Sequence, residues 1–261
     1  MSLPIIRALW IGDSLSTIEQ LSITSFLKNG HEFQLYTYDH IKNIPDGTTI
    51  KDGNEILDRS KIVRYQNGSV SLFTNWFRFE LLKKYGGFWV DLDVICLKPF
   101  DFPETEPVFG LEIEDRICTA IMSFPKNHAF TDFMININKN PNKFLPYDNW
   151  EIKKRKLKRK LKGHGLDKTK WGEISGPTGV SNALKHFGIF DKSKHKDCFF
   201  PIHYLDWKFI YYSTLKASDK VFEDTYAIHL WNEMSRGVEG FDKNATFSEN
   251  SLIEDLKRKY L

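Results

Sequence analysis

The stretch from Ile5 to Tyr38 constrains the fold more than any other. Ile5 to Ile11 is largely apolar and reads as a buried strand. Ser16-Thr17-Ile18-Glu19 is a capping box, which predicts a helix start. That helix runs to Asn29, and Gly30 supplies its stop. Glu32 to Tyr38 alternates and is rich in aromatic residues, a second strand. Strand, helix and strand in so short a span open a parallel sheet. The predicted class is α/β, Rossmann-like, with a mostly parallel central sheet. Ligands of such sheets gather at the carboxyl ends of the strands. Trp10 and the Tyr38-Asp39 pair fall at those ends.

Downstream, Asp39 to Ser60 is polar, carries Pro45, Gly47 and Gly53, and reads as loop. Ser69 caps a helix to Tyr85 with Val70, Phe73, Phe77 and Leu81 as its core stripe. Gly86 ends it, and Phe88 to Leu92 is the next strand. Val108–Glu112, Cys118–Phe124, Phe199–Tyr204 and Tyr226–Trp231 read as further strands. Ala129 to Asn138 reads as helix, and another helix starts near Val180. A capping box at Thr246 and Glu249 predicts the C-terminal helix. The expectation is a single domain over 1–261 with a basic insertion around 139–170.

With 41% hydrophobic and 15% aromatic residues in 261, the chain can fill a core, so general disorder is excluded. No apolar run is long enough for a membrane-spanning helix, and Met1 to Arg7 does not resemble a signal peptide. Cys96, Cys118 and Cys198 lack metal-type spacing and read as reduced residues of a cytoplasmic protein. The net charge of +3 is deceptive. Eight of the 37 basic residues lie within Lys153 to Lys162, and without them the balance is 29 minus 34, or −5. Such a segment reads either as a local anionic contact, here an inner membrane surface, or as a solvated, mobile loop. Nucleic acid is disfavoured, because no aromatic interleaving or recognised motif accompanies it.

The chemistry centres on Asp91 and Asp93, one residue apart at the end of an apolar run. Two carboxylates there suit a hard divalent cation, which can hold a phosphate or diphosphate leaving group. Strand alternation would point both to one side. Ser71, Asn75 and Arg78 share one stripe of the preceding helix, and an arginine fork pairs well with phosphate. His229, at a strand end, is a candidate third ligand, and imidazole suits manganese better than magnesium. Ser175-Gly176-Pro177-Thr178-Gly179 offers N–H groups to sugar or phosphate, or is an ordinary turn. There is no G-x-x-x-x-G-K-[ST] loop, G-x-G-x-x-G turn, G-x-S-x-G elbow or H-E-x-x-H helix.

Phe73-Thr74-Asn75-Trp76-Phe77-Arg78 through Tyr85-Gly86-Gly87-Phe88-Trp89-Val90-Asp91-Leu92-Asp93 resembles the central motif of glycosyltransferases with a DxD sugar-binding region. These include α-1,4-galactosyltransferase-like and capsular-polysaccharide enzymes. Trp10-Ile11-Gly12, Gly176-Pro177-Thr178-Gly179 and His229-Leu230-Trp231-Asn232 are similar to the same members. The resemblance implies a GT-A fold, a nucleotide-sugar donor (UDP-sugar favoured), Mn2+ or Mg2+, and retention of configuration. It implies a hexose or N-acetylhexosamine passed to a glycan or lipid-linked glycan in bacterial surface polysaccharide synthesis.

By matched position Trp10 stacks on the donor base, with Ile11, Tyr38, Ser71, Asn75 and Leu92 also on the donor. Arg78 contacts sugar or diphosphate, Asp93 binds the metal, and Asp91 lies beside it. His229 completes the metal site, and Trp231 and Ser235-Arg236 close over the diphosphate. Gly176 to Gly179 would meet sugar. Asn75 stands where many relatives carry aspartate. Two other readings stay open: a haloacid-dehalogenase-type phosphatase using Asp91 and Asp93, and an inactive sugar-nucleotide-binding protein.

Overall fold

The computed structural model describes residues 3–65, 67–190, 199 and 202–261. Its centre is a six-stranded sheet of order β3-β2-β1-β4-β7-β6. The strands are β1 (Ile6–Trp10), β2 (Phe33–Thr37), β3 (Thr48–Asp52), β4 (Gly87–Val90), β6 (Val108–Ile113) and β7 (Arg116–Phe124). The first four run parallel, while β7 is antiparallel to β4 and β6 antiparallel to β7. A separate ribbon pairs β5 (Val94–Cys96) with β8 (Ala227–His229), setting Val94 opposite His229.

Strand alternation splits the core between the two faces of the sheet. Ile6, Ala8, Phe33, Leu35, Phe88 and Val90 belong to one buried cluster with α1 (Thr17–Lys28) and α8 (Leu252–Tyr260). Leu9, Tyr36 and Trp89 belong to the other, with α2 (Ser71–Tyr85), α3 (Ala129–Lys139) and α5 (Pro177–His186). Each fully buried phenylalanine on either face contributes about 1.5–3 kcal/mol. The capping box of α1 forms as expected, with the Ser16 N–H donating to Glu19 Oε2 at 2.8 Å.

Gly86 and Gly87, at φ +70° and +73°, turn the chain from α2 into β4. A Cβ on Gly86 would stand 2.7 Å from the Lys126 backbone nitrogen. Side chains are thus excluded twice over, by the left-handed backbone and by space.

Four expectations need correction. Asp39 to Ser60 contains the edge strand β3, whose solvated Thr48-Thr49-Ile50-Lys51-Asp52 hides its alternation. The C-terminal helix is capped by Ser251 with Glu254, because Phe247 N–H and Lys257 both engage the Glu254 carboxylate; Thr246 and Glu249 do not open it. The connection after Pro141 contains α4 (Trp150–Leu161), capped by the Asn149 side chain. The aspartates lie beyond β4, in a tight turn closed by Val94 N–H to Asp91 C=O. The expected strand Phe199–Tyr204 falls partly outside the described residues, and Tyr204 opens a 3-10 turn. Cys198 lies outside them too. The short helices α6 (Lys208–Tyr212) and α7 (Asn232–Ser235) complete the chain.

Candidate functional site

A cleft of about 480 Å³ opens at the carboxyl ends of β1 and β4. That volume is within the usual range for a small-molecule site. Its floor carries the aspartate pair. Because both residues sit in a turn, strand alternation does not apply, and the two carboxylates have different partners. Asp91 Oδ1 accepts from Arg78 Nη2 at 2.7 Å and from Trp89 Nε1 at 2.7 Å. Asp93 Oδ2 accepts from the Asn232 N–H at 2.9 Å and lies 3.1 Å from His229 Nε2.

Arg78 is 1% exposed. It reaches the cleft because α2 buries it against the Trp89 ring, 5.0 Å from the centroid. Asn75 Oδ1 accepts from its Nη1 at 3.0 Å, which fixes the fork. Its Nε has no hydrogen-bond partner. Ser71, Asn75 and Arg78 all line the cleft, as their spacing on one helix face requires.

His229 lies between Asp93 and Cys118, whose Sγ is 3.6 Å from Nδ1. Burial would push its pKa down, but Asp93 and Cys118 outweigh burial and raise it well above the ordinary value. Burial acts the opposite way on Asp93, yet His229, the Asn232 N–H and Lys243 hold its carboxyl below the usual range. The two therefore form an ion pair with the proton on His229.

Among the described residues, no three His, Cys, Asp or Glu side chains form a ready-made metal shell. The expected Asp91–Asp93–His229 set is thus not preassembled, because Arg78 and Trp89 hold Asp91. The local donors still fit an ion. Asn232, whose backbone N–H binds the Asp93 carboxylate, has a buried side-chain Oδ1 without a hydrogen-bond partner. Oxygen donors suit hard cations, and His229 could join after losing its proton.

Trp10 and Ile11 line the cleft, and Lys243 lies 5.8 Å over the Trp10 ring while pairing with Glu19 at 2.6 Å. Trp10 Nε1 is buried without a partner. Leu92, Trp231, Gly176 and Pro177 also line it. Trp231, at φ +53°, sets its ring centroid 3.9 Å from that of His229 at a 48° tilt and donates Nε1–H to Ile202 C=O.

Four expected residues lie elsewhere. Tyr38 packs on Phe73 and donates its O–H to the Leu57 carbonyl, with the Gly53 carbonyl 3.3 Å from the same oxygen, covered by the segment after β3. Ser235 is buried and donates to Asn232 C=O. Thr178 is exposed outside the cleft. Gly179 is wedged where a Cβ would stand 2.2 Å from Ile174 O, so its role is close packing.

Sequence reasoning missed Glu112. This β6 residue lines the cleft and pairs through Oε1 with Arg116 at 3.0 Å. Its Oε2 is buried without a hydrogen-bond partner. Trp171, Arg64 and Lys243 were also missed, since nothing local marks them.

Residues 17–109 match the model of the glycosyltransferase sugar-binding region containing the DXD motif. Residues 167–260 match that of the alpha 1,4-glycosyltransferase conserved region. Human alpha-1,4-N-acetylglucosaminyltransferase is 26% identical over 218 residues, covering 80% of this chain and 58% of the relative. Mouse lactosylceramide 4-alpha-galactosyltransferase is 23% identical over 215 residues, covering 76% and 49%. The chain thus spans about half the length of these curated relatives. Among solved structures, PaToxG glycosyltransferase aligns with a TM-score of 0.48 at 16% identity, covering 71% of this chain and 70% of that one. The ligand-free glycosyltransferase domain of the YGT toxin aligns at 0.48 and 9%, covering 76% and 80%.

The phosphatase alternative is not supported, since both matched family models are glycosyltransferase models. With both family regions matched and the Asp-x-Asp turn following β4 of an α/β sheet, the chain is related to the DXD-containing, alpha-1,4-type glycosyltransferases.

Proposed function

We propose that this chain transfers a hexose or N-acetylhexosamine from a nucleotide sugar, with UDP-sugars favoured, to a hydroxyl of a glycan acceptor. The observation that carries this reading is the meeting of Arg78–Asp91 and Asp93–His229 in one cleft. Arg78 supplies a fixed fork for phosphate or sugar oxygens. Trp10, with its unpartnered Nε1, offers a flat face for the base. A divalent cation held by Asp93, Asn232 and His229 would neutralise charge on the departing nucleoside diphosphate. Without an ion, His229 Nε2 lies 3.1 Å from Asp93 Oδ2 and is the partner that satisfies it.

Retention of configuration follows from front-face attack. The bond from carbon 1 to the phosphate oxygen breaks, and the bond to the acceptor oxygen forms on the same face. The leaving phosphate oxygen takes the acceptor proton. Glu112 Oε2 is suited to receive the acceptor hydroxyl as a hydrogen-bond acceptor. Similarity of the central motif to capsular-polysaccharide enzymes supports a place in bacterial surface polysaccharide synthesis. The family relationship favours a transferase over an inactive binding protein.

The test is a nucleotide-sugar panel with manganese, read by thermal shift and nucleotide release. Wild type should be stabilised and should turn over one donor class, whereas Asp93→Ala should lose metal-dependent release. A wild-type rate in Asp93→Ala defeats the assignment.

A further inference from the structure

We propose that the outward face of α4 docks the protein onto an anionic lipid surface. The helix divides its basic residues between two tasks. Lys156 is buried and donates to Asp148 Oδ2 at 2.7 Å and to Lys143 C=O at 3.0 Å. Arg159 is also buried and pairs with Glu173 at 2.8 Å, and Arg155 meets the same carboxylate at 3.4 Å. These three fix the helix to the body. Lys153, Lys154, Lys158, Lys160 and Lys162 have no ion pair among the described residues.

The outward stripe is not purely charged. Trp150 is 77% exposed, Leu157 47% and Leu161 79%. Their spacing puts them on one side of the helix. By the same spacing Lys153 and Lys160 flank this stripe on one side and Lys154 and Lys158 on the other. Phe144, 50% exposed, lies on the loop that enters the helix. Singly scattered surface leucines need no explanation, but three large apolar side chains on one stripe form a patch. An apolar ridge between lysines is the pattern of a helix lying in a membrane interface, where lysine stems run along the apolar surface and their heads reach phosphate. A solvated charged loop would need neither the ridge nor the inward anchors. A nucleic-acid groove would leave the two leucines in water.

The helix is also joined to the cleft. Glu173, which holds Arg155 and Arg159, adjoins Gly172 and Trp171 on the rim. Docking through α4 would therefore hold that rim at a fixed relation to the lipid surface. No helix among the described residues is long and apolar enough to cross a membrane, so the contact proposed is peripheral.

Co-sedimentation with phosphatidylcholine vesicles, with and without phosphatidylglycerol, tests this. Wild type should bind the phosphatidylglycerol vesicles and release as salt rises. Leu157→Ser/Leu161→Ser should weaken binding by at least about tenfold, the scale of burying one such side chain. Lys153→Glu/Lys160→Glu should remove binding, since each basic residue near the surface is worth about fivefold. Unchanged melting of both variants would establish that they fold. No binding to phosphatidylglycerol vesicles at low salt, a leucine variant that binds like wild type, or duplex DNA displacing the protein from vesicles would each overturn the proposal. Sedimentation needs no turnover, so failure here leaves the glycosyl-transfer reading standing.

Discussion

Replacing Arg78 by Met removes the cation while keeping much of its stem. The guanidinium is 1% exposed, and its Asp91 partner at 2.7 Å is 32% exposed. Removing one member of a fully buried pair costs roughly 3–5 kcal/mol. Water reaching Asp91 recovers part of that, and Trp89 Nε1 remains bonded to it. The hydrogen bond to Asn75 is also lost, worth about 1 kcal/mol. Removing the unpartnered Nε returns some of the total. The expected net loss is therefore about 2–3 kcal/mol.

Urea unfolding should show a lowered midpoint with unchanged slope. Asp91→Asn combined with Arg78→Met should cost less than the two separately, by about 1 kcal/mol, because both remove the same pair. The stabilisation conferred by nucleotide sugar should disappear in Arg78→Met. A loss under about 0.5 kcal/mol, or strict additivity of the two substitutions, would refute this account of the site.

Two further outcomes can be measured directly. Glu112→Gln should lower kcat/KM for the acceptor by about 10–100-fold, the worth of a hydrogen bond to a charged group, with donor hydrolysis nearly unchanged; an equal fall in both would remove Glu112 from the acceptor side. His31 is buried, shares Nδ1 with Pro4 C=O at 2.9 Å and accepts the Phe100 N–H on Nε2 at 2.9 Å. Burial holds its pKa below the ordinary value, against the Pro4 bond, so the neutral form is favoured on folding. Its contribution should be complete above pH about 6.5 and decline as pH falls from there towards the lower folded value. The stability gap between wild type and His31→Gln should accordingly narrow between pH 7.5 and 5, and a constant gap would rule out this role.

Much of the site is legible in the amino-acid sequence. Ser71, Asn75 and Arg78 share a helix face, and helical spacing is a local property. The Gly86-Gly87 pair marks the turn that delivers Asp91 and Asp93, and a left-handed backbone likewise leaves a local signature. β3 escaped because an exposed edge strand has no buried face to imprint alternation. α4 escaped because its inward positions are lysine and arginine, whose stems and ion pairs replace the usual apolar stripe.

What the sequence determined alone was the α/β succession, the cleft's place at the strand ends, and the family motif. Tertiary structure decided the partners. Asp93 takes its N–H donor from Asn232, 139 residues away, through pairing of β5 with β8. Glu112 became a cleft residue, with Oε1 on Arg116 and Oε2 unpartnered, only when β6 joined the sheet. Tyr38 was drawn away from the cleft, half-buried, once the segment after β3 took its hydroxyl. Spacing along a chain fixes which side chains share a face, but which distant group satisfies a buried charge depends on how those faces meet in space.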